Sequence, residues 1–203
     1  MRIKDFNSFL SLYEKRVENS ELVEQNQLGL ILHNGGRVTK ETTLTLYDFK
    51  NKKVFGFIEA IKKKGEIPEI AKSAAEKGYG PSMYDFILMT FEEGLVPDRE
   101  SVSEAALNIW RHFVNNRPDV DKETLDKENP SYINSYVKHE DDDKDPAHAD
   151  EEGLKILNTI YKLNPSKEYT DLIERGNELM REHSTNSNNI NKAGNLYFTK
   201  KYY

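Results

Sequence analysis

The chain has 203 residues, with 29 Lys and Arg against 35 Asp and Glu, a net charge of −6, 36% hydrophobic residues and no cysteine. That length suffices for one well-filled core, or one domain with a sizeable extension; the acidic balance argues against broad binding of nucleic acid, which draws on clustered Lys and Arg. Thiol nucleophiles, disulfides and thiolate-held zinc are excluded, and no apolar run approaches the roughly 18–20 residues of a membrane span, so the expectation is a chain without a membrane segment.

Residues 1–18 place Ile3, Phe6, Leu10, Tyr13 and Val17 on one stripe at three- and four-residue steps, which predicts an amphipathic helix. From Leu28 the period changes. Residues 28–32 form a short apolar run ended by the turn signal Asn34-Gly35-Gly36. Residues 42–49 alternate, with Leu44 and Leu46 on one face, and residues 54–61 supply a second strand after a lysine-rich turn. Together these predict an antiparallel hairpin, with Gly56 marking a bulge or a close backbone approach.

A weaker strand is expected over 67–73, since Pro68 suits only a strand's start or edge. It feeds the loop Gly78-Tyr79-Gly80, after which Pro81 sits in the first turn of a helix, where its missing N–H costs nothing. Gly94 stops that helix and Leu95-Val96 is a short apolar stub. Ser101 and Glu104 have the spacing of a capping box, so a new helix is expected there, with Val102, Ala105, Ala106, Ile109, Trp110 and Phe113 as its buried stripe. Residues 119–152 are polar and acidic and read as a loop. One helix is expected to carry Leu154, Leu157, Ile160 and Tyr161, and another Leu172, Ile173, Leu179 and Met180. Residues 183–192 read as a mobile Asn/Ser-rich connection, and the aromatic end as an extended strand or a partner contact.

A Gly-x-Gly loop entering a helix presents backbone N–H groups at the positive end of the helix dipole, an arrangement suited to phosphate or pyrophosphate. The acidic run 139–145 lacks the spacing of an EF-hand loop, and His139 and His148 have no third ligand in register, so no metal site is expected. No histidine near Ser101 in sequence could activate it as a nucleophile.

The order helix, strand, hairpin, strand, Gly-x-Gly, helix, short strand, helix resembles the GNAT superfamily of N-acetyltransferases. The likeness is closest to GNAT-like proteins of phages, through Gly78-Tyr79-Gly80-Pro81-x-x-Tyr84-Asp85 and then Gly94-Leu95-x-x-Asp98-Arg99-x-Ser101-Val102-Ser103 before a helix bearing Trp110. It spans about residues 20–125. It implies an α/β (α+β) fold with a mixed, largely antiparallel sheet flanked by helices. The organisation is then an N-terminal helix (1–18), a GNAT-like domain (19–125), and an acidic loop, helical extension and tail (126–203).

The resemblance further implies acetyl-CoA as cofactor, held by Ile70, Lys72, Gly78, Tyr79, Gly80, Pro81 and Ser82, with acetyl transfer to an amine, borne by a small molecule or a protein. Glu59, Tyr84 and Asp98 are the catalytic candidates. Ala75 stands where the family carries Gln or Arg, and Trp110 where it carries a tyrosine able to protonate the leaving thiolate. An indole N–H is a donor but a poor acid. If the enzyme is active, one of Tyr79, Tyr84, Tyr132 or Tyr136 is expected to point into the cleft instead. These departures equally suit a second reading, a non-catalytic virion or host-interaction protein that keeps the fold. The opening residues 1–10 resemble the leaders of tailed-phage virion proteins. The expected setting is the host cytoplasm, or the virion.

Overall fold

The computed structural model describes residues 27–36, 40–99, 101–125, 136–138, 147–148 and 151–202. The predicted helix at 1–18, the acidic run 139–145 and Tyr132 lie outside them. The fold is α+β. Four strands, β1 (Leu28–Gly35), β2 (Lys40–Asp48), β3 (Lys53–Lys62) and β4 (Glu69–Ala75), form an antiparallel sheet in sequential order. The helices among the described residues are α1 (Gly80–Leu88), α2 (Glu104–Asn116), α3 (Glu151–Leu157), α4 (Lys167–Glu182) and α5 (Ser187–Tyr202). Short strands β5 (Ser101–Ser103), β6 (Asp121–Thr124), β7 (Tyr136–Lys138), β8 (Ala147–His148) and β9 (Thr159–Lys162) complete them.

Side-chain alternation gives the main sheet two different faces. Leu30, Leu44, Leu46 and Ile58 join Met83, Ile87, Trp110 and Phe113 in one large core. The opposite face carries Thr43, Thr45, Phe57 and Glu59 and is covered by α5, whose Asn191 accepts from Thr43 Oγ1 at 3.0 Å. Gly56 lies beside the expected bulge, but its close neighbour is a side chain and not another backbone. The register shifts beside it, and a Cβ there would stand 2.5 Å from Met83 Sδ, so the glycine leaves room for the Met83 side chain of α1 on the sheet.

Several sequence-based expectations are corrected. Ser101 is not a helix cap: it lies in β5, and Ser103 caps α2 by accepting from Ala106 N–H at 3.2 Å. The stripe expected on this helix divides, since Val102 lies in β5 and the other positions on α2. Val102, Ala106, Trp110 and Phe113 are buried together with Leu107, whereas Ala105 is exposed and Ile109 half-buried. The helix expected to include Ile160 and Tyr161 ends at Leu157, and Thr159–Lys162 is instead a strand antiparallel to β6. Threonine, isoleucine and tyrosine in a row suit that conformation. Residues 187–202 are not loop and extended tail but the helix α5, with Asn186 Oδ1 accepting from Asn189 N–H at 3.1 Å in its first turn.

Candidate functional site

Strand β4 is where the architecture opens. At its start Glu69 pairs in parallel with Val96; Ile70 N–H donates to Val96 O at 3.1 Å and Val96 N–H to Pro68 O at 2.9 Å. Leu95, in turn, exchanges backbone hydrogen bonds with Tyr161 at 2.9 Å, so the apolar stub links β4 to β9. The two chains then part. Ala71 is the extra residue of a bulge between the pairs Glu59–Lys72 and Ala60–Ile70, and the next strand, β5, pairs with β7 rather than with β4. A cleft of about 1090 Å³ fills the gap, with Ser73, Gly78, Gly80, Tyr84, Ile109 and His112 among its walls. That volume lies just above the usual range for small-molecule sites.

The upper wall is the entry to α1. Gly78 has φ +94°, which a side chain would strain, and Tyr79 precedes the helix without a side-chain cap. Met83 N–H bonds back to Tyr79 O at 3.1 Å, but N–H groups of the first turn have no intrahelical acceptor by construction. At Gly80 an added Cβ would meet only Ile109 Cδ1, at 3.8 Å, so packing alone does not require glycine there.

The floor holds two hydroxyls. Tyr84 OH stands 2.9 Å from Ser73 Oγ, and burial pushes the Tyr84 phenol up to about 12. Trp110 lies edge-on to Tyr84 with ring centroids 5.2 Å apart, and is itself packed on Tyr161 at 4.6 Å and Phe113 at 5.6 Å. Trp110 is therefore core, holding Tyr84 in place. On the α2 wall, Asn116 Nδ2 lies 3.3 Å from His112 Nδ1. Partial burial, and then the Arg117 charge, lower the His112 pKa, which favours the neutral imidazole.

Of the positions singled out in the sequence, Gly78, Gly80, Pro81 and Tyr84 line the cleft. Tyr79 turns its ring onto Phe55, centroids 5.2 Å apart, and Ser82 is buried in the helix's first turn. Ile70 is in the core at the fork. Glu59 and Lys72 form an ion pair of 2.8 Å on the sheet face opposite α1, with Glu59 only 5% exposed. Asp98 lies beyond the stub, beside Arg99, whose N–H donates to Glu69 Oε1 at 2.7 Å. Neither Glu59 nor Asp98 is among the residues that line the cleft.

Ser73, His112, Lys201 and Tyr202 line it without having been singled out. For His112 there was a signal: it continues the face of Ala105, Asn108 and Ile109 at helical spacing. Beneath the cleft, Asp85 is tied to Arg117 Nη1 at 2.9 Å, and Arg117 grips Asp119 through Nε at 2.8 Å and Nη2 at 2.6 Å. This joins α1 to the end of α2. Among the described residues no cluster of three His, Asp or Glu side chains could hold a metal ion, and no helix is long and apolar enough to cross a membrane.

No family model, curated protein or solved structure matches this chain.

Proposed function

We propose that the chain binds acetyl-CoA in this cleft and acts as a GNAT-like N-acetyltransferase on an amine. The observation that carries the reading is the parting of β4 from the parallel stub at Val96, with the far end of β4 leading into the uncapped N-terminus of α1. Such a cleft offers a thioester an open strand edge at one end and an anion site at the other. The open space over Gly80 fits the group, because its phosphates need backbone approach and the protein itself does not fill that space.

When bound, acetyl-CoA supplies the activated acyl group. Gly78, Gly80 and Pro81 shape the anion end. Tyr84, aimed by Ser73, offers its hydroxyl toward a departing sulfur, and His112 and Glu76 are cleft side chains able to take the amine's proton at neutral pH. In the balanced reaction a C–N bond forms, the C–S bond breaks, and the proton lost by the amine is matched by one gained at sulfur. Tyr84 takes the place that the sequence left to one of four tyrosines; Tyr79 packs elsewhere.

A second reading is a binding protein of the same fold, in a virion or against a host protein. It is favoured by the position of Glu59 and Asp98 outside the cleft lining. Calorimetry with CoA, followed by turnover of acetyl-CoA over a panel of amines, separates the two. Binding with turnover supports the transferase, and binding without turnover supports the second reading. Absence of binding at millimolar CoA overturns the cofactor assignment.

A further inference from the structure

Helix α5 is held to the molecule differently at its two ends. Near its start Ile190 is buried with Ile31, Phe49 and Leu179, which ties α5 to β1 and α4. At Gly194 the helix lies closest to the sheet: a Cβ there would stand 2.3 Å from the Phe57 ring. Past Gly194 no residue of α5 is buried. Its attachments there include polar ones, Tyr197 OH donating to Glu76 Oε1 at 3.4 Å and the Lys201 ammonium donating to the Ala75 carbonyl. Water can replace contacts of that kind at little net cost, whereas it cannot replace the apolar cluster at Ile190.

The weakly held end is also the end at the site. Lys201 and Tyr202 both line the cleft, although Tyr202 is 53% exposed. Ala75, on which Lys201 rests, is the last residue of β4, three positions before Gly78. The last turn of α5 thus reaches the mouth of the cleft from the opposite side of the sheet.

We propose that the last two turns of α5, residues 195–202, are a gate. With Lys201 on the Ala75 carbonyl, Tyr202 narrows the mouth; release of residues 195–202 widens it, while Ile190 keeps the first half of α5 docked. Only the identity of the entering ligand rests on the acetyl-CoA reading. Local opening of this kind draws on the least stable part of a fold.

The absence of cysteine makes the gate measurable. Ser73→Cys places one thiol at the foot of the cleft, and its reaction with a bulky aromatic disulfide reports access. Adding Lys201→Ala and Tyr202→Ala should raise that rate by roughly tenfold, the factor set by about 1.4 kcal/mol of lost contact. A small alkylating reagent should gain less. Should Ser73→Cys misfold, Ala106→Cys, buried on the opposite wall, serves the same purpose. Equal rates with and without the α5 substitutions for both reagents, or an equal gain from Thr199→Ala on the outer face, would overturn the gate. CoA is the separate arm. If labelling is gated but CoA does not slow it, the gate stands and the cofactor reading falls; if CoA slows labelling while the α5 substitutions change nothing, the reverse holds.

Discussion

The hydroxyls of Ser73 on β4 and Tyr84 on α1 stand 2.9 Å apart across the floor of the cleft. Burial is the main reason that the Tyr84 phenol is pushed up to about 12, with Ser73 holding it back. The neutral phenol is favoured in the folded state, so this group's contribution to stability is intact below pH 10 and is lost as pH rises through 12. Tyr84→Phe should flatten that alkaline limb in urea denaturation. It should also cost about 1 kcal/mol at neutral pH, the value of one hydrogen bond. An ultraviolet titration in which Tyr84→Phe removes a phenol ionising near pH 10 would contradict the burial argument.

Gly80 separates ligand approach from folding. Gly80→Val should abolish CoA binding while moving the melting temperature by only a few degrees, since the added Cβ has room. Loss of fold in this variant would mean that the glycine serves the helix and not a ligand.

Gly94 is the contrasting case. Its φ is +93°, and a Cβ would stand 2.6 Å from Ile160 Cγ2 and 3.0 Å from Tyr161 O. Gly94→Ala should cost about 2 kcal/mol or more, because strain and overlap act together. The melting temperature checks this, and a neutral outcome would show that the stub and β9 can separate freely.

Trp110 is 1% exposed and packed among three aromatic rings. Trp110→Ala should destabilise by about 3–5 kcal/mol through lost transfer energy and the cavity left behind. As the chain has one tryptophan, its emission in the wild type should be blue-shifted and poorly quenched by acrylamide.

Asp85 and Arg117 give a pH dependence of their own. Burial raises the Asp85 carboxyl to about 6, while Arg117 pulls it back down. An acid whose folded pKa lies above its unfolded one contributes stability below the unfolded value, lost as pH rises through the folded value. The window is therefore about pH 4 to 6. Arg117→Met removes the compensating charge and should cost about 3–5 kcal/mol at pH 8 but less at pH 5, where Asp85 can take up a proton. Equal losses at both pH values would show that the pair is better solvated than its burial implies.

The sequence by itself determined the local elements around Gly78. Alternation at Leu44 and Leu46 required a strand, and Pro81 after a glycine loop required a helix start, because those signals act over a few neighbouring residues. It also determined that Trp110 and Phe113 face a core, since helical spacing leaves them no other side. Tertiary structure alone decided which groups meet in the cleft. Glu59 was a candidate base by residue type, yet alternation and register turn it to the far face of the sheet beside Lys72. Ser73 reaches Tyr84 only because the bulge at Ala71 shifts the pairing along β4. Ile160 and Tyr161 fitted a helical stripe until pairing with Glu123 and Lys122, 37 and 39 residues away, offered backbone hydrogen bonds. Likewise, the Asn-rich segment is helical because α5 finds Thr43, Phe57 and Ala75 along its path across the sheet. Those partners lie more than a hundred residues away along the chain, and no local periodicity encodes them.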